Sequence, residues 1–478
     1  LTEEKIKVFV NGTEVTTGIT KTLSEATALN EQRKAFGSDT ITTKQYGVEY
    51  TLTITGFAQN ADQVKVQIPA GCMTDESGNS NKVTDLIVYN VLRNTSSENS
   101  QTGAFLGNAS IQRQNIENVT FERSIPSTVY NTETGEYVDT TAWDASARQD
   151  KSIIAWYETS NDQGALKVHI GSNDEIFGNQ DSTALFSYIG SADICTATET
   201  ITNIGLLNVS GVTNMYRMFE KTGTKAMTVL DLGNNFDTSN VTNMGAMFVH
   251  TGEHSMTTLN LGSKFDTSNV TKMSTMFFMT GMDKLTSLDL GDKFDTSNVT
   301  DMSWMFLSTG TQSMTSLNLG DKFDTSNVTS MDKMFCQTGA KAMTSLDLGD
   351  KFDTSNVTDM QQMFSGTGSD SMTSLNLGDK FDTSNVTNMW RMFDSTGKTA
   401  MTTLDLGEKF DTRKVTNMKS MFQECGATAM TTLNLGPAFT RIPAESTDFM
   451  TSCGTTGLVI YAPESVYANN GEFFISEN

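Results

Sequence analysis

The stretch Phe294-Asp295-Thr296-Ser297-Asn298-Val299-Thr300 decides the fold, because it recurs almost letter for letter down half of the chain. Its phenylalanine returns at Phe236, Phe265, Phe294, Phe323, Phe352, Phe381, Phe410 and Phe439, 29 residues apart each time. A worn copy, Leu207-Asn208-Val209-Ser210-Gly211-Val212-Thr213, lies one period upstream. A fixed period of roughly 20 to 50 residues marks a solenoid, in which each unit buries its apolar face only by stacking on its neighbours.

One unit shows how. Met314, Leu317 and Leu319 mark a short strand of the kind that leucine-rich repeats stack side by side. Val328, Met331, Met334 and Phe335 follow at i, i+3, i+6 and i+7, which suits one or two helical turns against the core. Stacked strands rise ~4.8 Å per coil, so eight to nine coils make a rod of about 40 Å.

The repeating columns sort into framework. Methionine is abundant, at 27 residues, but most of it falls in two columns, through Met244 and Met247, whose spacing is that of core packing. Asp237, Asp266, Asp295, Asp324, Asp353, Asp382 and Asp411 form an acidic column. Neighbouring carboxylates so stacked repel by roughly 3 kcal/mol at an effective dielectric near 20. Turn N–H groups bonded to each carboxylate, or the lysine two residues earlier, offset this. A Ca²⁺ ladder needs more oxygen ligands than the motif offers. The Asn240 to Asn385 column is expected to tie coils together through its side chains.

Composition narrows the function. A net charge of −23 speaks against nucleic acid and against an anionic membrane surface. No apolar run reaches the ~18 residues of a spanning helix. The chain opens at Leu1 with no export leader and closes at Asn478 with no sorting motif, as expected of a mature or truncated chain. Five cysteines make no disulfide framework. Cys72, Cys195 and Cys336 read as small buried residues. Cys425 and Cys453, 28 residues apart, are either a terminal disulfide or two buried thiols.

The segments order as follows. Residues 1–93 alternate in short runs such as Ile6-Lys7-Val8-Phe9-Val10, which ends at the turn pair Asn11-Gly12, and read as a β-sandwich. Asp75, Glu76 and Asn79 offer oxygen ligands for Ca²⁺, although a solvated turn explains them as well. Residues 94–105 lack large apolar groups until Phe105 and read as a linker. Residues 106–206 contain the expected paired strands Ile153–Tyr157 and Leu166–Gly171, and cap the solenoid of 207–442. Residues 443–478 close it. The fold class is thus mainly β with short helices.

Two family resemblances follow. Ile54-Thr55-Gly56-Phe57 and Val66-Gln67-Ile68-Pro69-Ala70-Gly71 resemble bacterial immunoglobulin-like modules, which implies a spacer. Ala142-Trp143-Asp144-Ala145-Ser146, Asp150 to Tyr157 and His169-Ile170-Gly171, followed by Val-Thr-Asn-Met-x-x-Met-Phe from Val241, resemble BspA-like leucine-rich-repeat surface proteins. That resemblance implies a secreted or cell-surface bacterial adhesin binding a host or microbial surface protein or glycan.

Recognition must come from what varies between units. Variable positions hold Phe278, Trp304, Lys333, Trp390 and Arg391. Aromatics and arginine there are either interface anchors or rings lying flat on a neighbouring coil. With three histidines and no nucleophile elbow, phosphate loop or HExxH, no catalytic constellation stands out, and neither enzyme activity nor a cofactor is expected. The alternative to an adhesin is a structural subunit that binds copies of itself in a surface layer or filament.

Overall fold

Thr315-Ser316-Leu317-Asn318 alternates as a strand with one buried face should. It forms the strand Ser316–Asn318, with Leu317 buried between exposed neighbours. The structure, a computed structural model, describes residues 90–94 and 99–469, and before them the segments 3–10, 13–14, 20–23, 27–34, 41–49, 52–55, 64–68 and 84–88. It divides into two compact units, 1–90 with 149–152, and 91–148 with 153–478.

The described part of the first unit is antiparallel β. Lys7–Val10 pairs with Thr13–Glu14 and with Val64–Ile68, which pairs with Thr84–Val88. Val10 lies opposite Thr13, as a two-residue hairpin connection demands. Thr20–Leu23 pairs with Leu52–Thr55, and Thr27–Lys34 with Ile41–Glu49. Asn11, Gly12 and Cys72, and the Ca²⁺ candidates Asp75, Glu76 and Asn79, lie outside the described residues.

The second unit opens with a five-stranded mixed sheet. Ile154–Thr159 and Leu166–Gly171 pair antiparallel, as their sequences predict. Ile116–Glu122 runs parallel to Leu166–Gly171 and carries Ile201–Thr202 on its other side, while Trp143–Asp144 forms the opposite edge. Coil geometry then begins earlier than the repeat is legible. Ile176–Phe177 pairs parallel with Leu207–Asn208, and the N–H groups of Ala184 and Phe186 already bond to Tyr216 and Met218. This first coil has lost the repeat's letters but keeps its backbone bonds.

Eight three-residue strands follow, from Val229–Asp231 to Thr432–Asn434, each with the pattern set by one buried central leucine. They pair in twos, and the last also carries Val459–Tyr461. Behind them run two ladders of phenylalanine. Phe265, Phe294, Phe323, Phe352, Phe381 and Phe410 stack nearly parallel at 6.2–6.4 Å between ring centres. Phe219, Phe248, Phe277, Phe306, Phe335 and Phe364 stack at 5.4–5.7 Å. Both are buried, as are both methionine columns. Each ring removes ~150–250 Å² from water, so the ladders carry much of the burial energy.

The helical turns expected around Val328, Met331, Met334 and Phe335 are not formed, although all four side chains are buried. The segment is a run of tight turns. In the coil before it, the N–H groups of Met302, Trp304, Phe306 and Ser308 cross to carbonyls of the next coil, while those of Met305, Leu307 and Thr309 bond three residues back. Ser303 N–H bonds to the Asp301 carboxylate at 2.9 Å, so every donor in the run is satisfied without an i−4 bond. Side-chain spacing is the same as for a helix. The hydrogen-bond destinations differ.

Polar columns tie the coils. Asn298 Nδ2 donates to Ser268 O at 2.8 Å, and the bond repeats from Asn240 to Asn385, as the sequence predicts. The acidic column uses the expected turn N–H groups, but its lysines come from the next two coils rather than from two residues earlier. Ser297 N–H donates to Asp295 at 3.0 Å. Burial raises the Asp237 carboxyl, but Ser239, Lys264 and Lys293 together outweigh it and hold it below the ordinary 3.8. Burial likewise raises Asp324, and Ser326 with Lys351 and Lys380 bring it low. Buried threonines add a ladder the sequence reading missed, in which Thr309 Oγ1 donates to Phe277 O of the preceding coil at 2.7 Å.

The Cys425–Cys453 disulfide is not formed. Both are free thiols, with Cys425 buried and Cys453 half-buried against the same cluster, and Gly454 N–H bonds to Cys425 O. Burial pushes the Cys453 thiol up to about 12. Cys195 and Cys336 are buried, as expected.

Candidate binding face

The run of turns places the varying residues in pairs at two places per coil, most of them half-buried. The second member of each pair lies in the left-handed region. At the first place φ is 57° for Arg217, 60° for Thr275, 64° for Trp304, 53° for Lys333 and 52° for Arg391. At the second it is 56° for Lys221, 54° for His250 and 55° for Met279. A residue other than glycine pays ~1–2 kcal/mol for this conformation, and a β-branched or bulky one is a true outlier. Yet the repeating coils place a glycine there only at Gly366.

Structure brings three of the five sequence candidates together. Phe278 presents its edge to Trp304, ring centres 6.0 Å apart. Lys333 from the next coil places its ammonium 4.4 Å from the Trp304 ring centre. Trp304 Nε1–H donates to Asp332 Oδ2 at 2.8 Å. His250 joins the other end, its ring 5.4 Å from Phe278 and its Nδ1 2.8 Å from Glu253. The hydrogen bond from His250 is the main reason the Glu253 carboxyl is held low, against the opposing effect of burial. The result is a continuous string, His250, Phe278, Trp304 and Lys333, across four coils.

Trp390 and Arg391 stand apart, with the guanidinium 5.5 Å from its neighbour's ring centre and Arg391 Nε 3.7 Å from Asp394. Burial raises the Asp394 carboxyl. All five candidates are half-buried. Anchor and packed ring are therefore not exclusive readings, because Trp304 is gripped by its neighbours and still borders solvent.

The sequence reading missed other members of these columns. Arg217 lies over Tyr216 at 5.0 Å and Lys221 over Tyr188 at 5.5 Å. Tyr216-Arg217 occupies the same place in its coil as Trp390-Arg391, so the period itself was the available signal. Cation–aromatic pairs of this kind contribute about 0.5–1 kcal/mol each at exposed sites. Among the described residues no three His, Cys, Asp or Glu side chains converge as a metal site. No described helix is long and apolar enough to cross a membrane.

Regular parallel strands every 29 residues, backed by ladders of identical side chains, define a repeat solenoid. Its family is the one described as Mycoplasma protein of unknown function, DUF285, to which this chain belongs, with tandem matches over residues 194–282, 278–376 and 339–434. No curated protein and no solved structure matches the chain.

Proposed function

We propose that this is a non-catalytic adhesin of the BspA-like kind, secreted or held at a bacterial cell surface, whose turn-ladder face binds a host or microbial surface protein or glycan. The supporting observation is the left-handed backbone under its variable columns. Glycine costs the backbone least there, yet aromatic and cationic side chains such as Trp304 and Arg391 occupy these positions. The aromatic and cationic types kept are those that anchor interfaces. In this reading residues 1–93 form an immunoglobulin-like spacer, and no cofactor takes part.

Adhesion of beads coated with the full chain to host epithelial cells tests it. Trp304→Ala and Trp390→Ala are expected to lower adhesion with the chain still folded, Trp304→Ala also lowering the melting temperature because it loses Phe278, Lys333 and the bond to Asp332. Equal adhesion by wild type and both variants would sink the reading.

A second reading, self-assembly, is favoured by the last strand. Val459–Tyr461 ends the strand face, with Val459 50% and Tyr461 59% exposed. Light scattering across concentration decides it, since growth into large ordered species would make assembly the function and a constant monomer mass would exclude it.

A further inference from the structure

One junction between coils is open where its neighbours are closed. Along the outer ladder, the N–H of Thr242, Thr271, Thr329, Thr358, Thr387 and Thr416 each bonds to the threonine carbonyl 29 residues earlier. Thr300 makes no such bond to Thr271. Met244 and Met302 reach the carbonyls of Lys272 and Ser330, but Met273 does not reach Asp301. Parallel bridges link Asn243 to Lys272 and Asp301 to Ser330, with none between Lys272 and Asp301. The same junction is intact on either side, through Asn298 to Ser268 and Thr275 to Ser303. The gap is local.

A groove of about 440 Å³ lies over that gap. Its floor is low because Gly245 and Ser274 stand where other coils carry Trp390 or Asp332. Tyr216 bounds it, close enough that a Cβ on Gly245 would sit 3.3 Å from the ring. Lys272 and Asp301, both exposed, line it. Asn243 spends its oxygen on Gly245 N–H and leaves its amide hydrogens uncommitted.

We propose that this groove is a sugar subsite, which seats one pyranose ring of a glycan. The inference rests on the binding reading above. A pair of adjacent hydroxyls can both accept from the open Thr300 N–H and donate to the open Thr271 carbonyl, which a purely apolar or purely anionic group cannot. The apolar face of the ring stacks on Tyr216, and further hydroxyls meet Asn243, Lys272 and Asp301. The lining is hydroxyl, amide and charge around one aromatic ring, without the apolar pockets that would hold peptide side chains.

The test uses the full chain on an array of defined oligosaccharides containing neutral hexose, N-acetylhexosamine and uronate units, followed by calorimetric titration with the best array sugar. Ser274→Trp fills the groove and Tyr216→Ala removes its wall; Lys272→Ala, on an exposed side chain, serves if either fails to fold. Each is expected to weaken sugar binding roughly tenfold or more, with Glu408→Gln, outside the groove, unchanged. A blank array, or groove variants that bind as wild type, overturns the subsite. If bead adhesion in that case still falls with Trp390→Ala, the broader face survives; if it does not, both readings fall.

Discussion

Asn260 Nδ2 donates to Asp231 Oδ1 at 2.9 Å across two paired strands. The relation recurs in every second junction, from Asn318 to Asp289, Asn376 to Asp347 and Asn434 to Asp405. Aspartate and asparagine therefore alternate along this column, and each amide serves the carboxylate before it. The coils are zipped in twos on the strand face because aspartate has no proton to offer the coil behind it.

Asn318→Asp removes one donor and puts a third exposed carboxylate in the column between Asp289 and Asp347. It should cost about 1 kcal/mol, since exposure screens the repulsion. Denaturant titration measures it, and added salt should recover part of the loss. A variant as stable as wild type at low salt would show that the amide contributes nothing.

Gly262 and Gly291 give a paired test of space against backbone. Both have positive φ, 80° and 79°. A Cβ on Gly262 would collide with the carbonyl oxygen of Gly233, whereas one on Gly291 meets nothing. Gly291→Ala should cost ~1–2 kcal/mol from the left-handed conformation alone. Gly262→Ala must also push two coils apart and should cost more. Equal losses in thermal unfolding would refute the collision.

Acid should unfold the solenoid and its capping sheet through their held-down carboxylates. Asp237, Asp324 and Asp411 lie below their ordinary 3.8, and Glu117 below its ordinary 4.5, despite burial that raises Asp237, Asp324 and Glu117. A carboxyl that is more acidic folded than unfolded stabilises the fold fully above its unfolded pKa, and the contribution disappears as pH falls through the folded value. Asp359 and Asp394, raised by burial, act oppositely but are fewer. The melting temperature should be flat near neutrality and fall steeply below pH 4. A melting temperature that rises on acidification would contradict this.

The thiols should be inert in the folded chain. Burial pushes Cys195 and Cys336 up to about 11 and Cys453 to about 12, and raises Cys425 well above 9. The thiolate is the reactive form, so maleimide at pH 7.5 should label these four only after unfolding. Peptide mapping without reductant also checks the C-terminal pair. A linked peptide containing Cys425 and Cys453 would overturn the free-thiol assignment.

By itself the sequence determined the period, the buried columns and the asparagine ladder. A solenoid repeats its environment along with its letters, so Phe294 and Asn298 announce their roles in each coil. Only tertiary structure decided what the spacing of Val328, Met331, Met334 and Phe335 means. A helix and a stack of tight turns bury the same side chains, and what separates them is that Phe306 N–H finds Met334 O in the next coil. The binding face was half legible. Its columns show as the positions that vary, but the left-handed backbone beneath Trp304 and the missing bond between Thr271 and Thr300 depend on how neighbouring coils meet, and no single repeat encodes that.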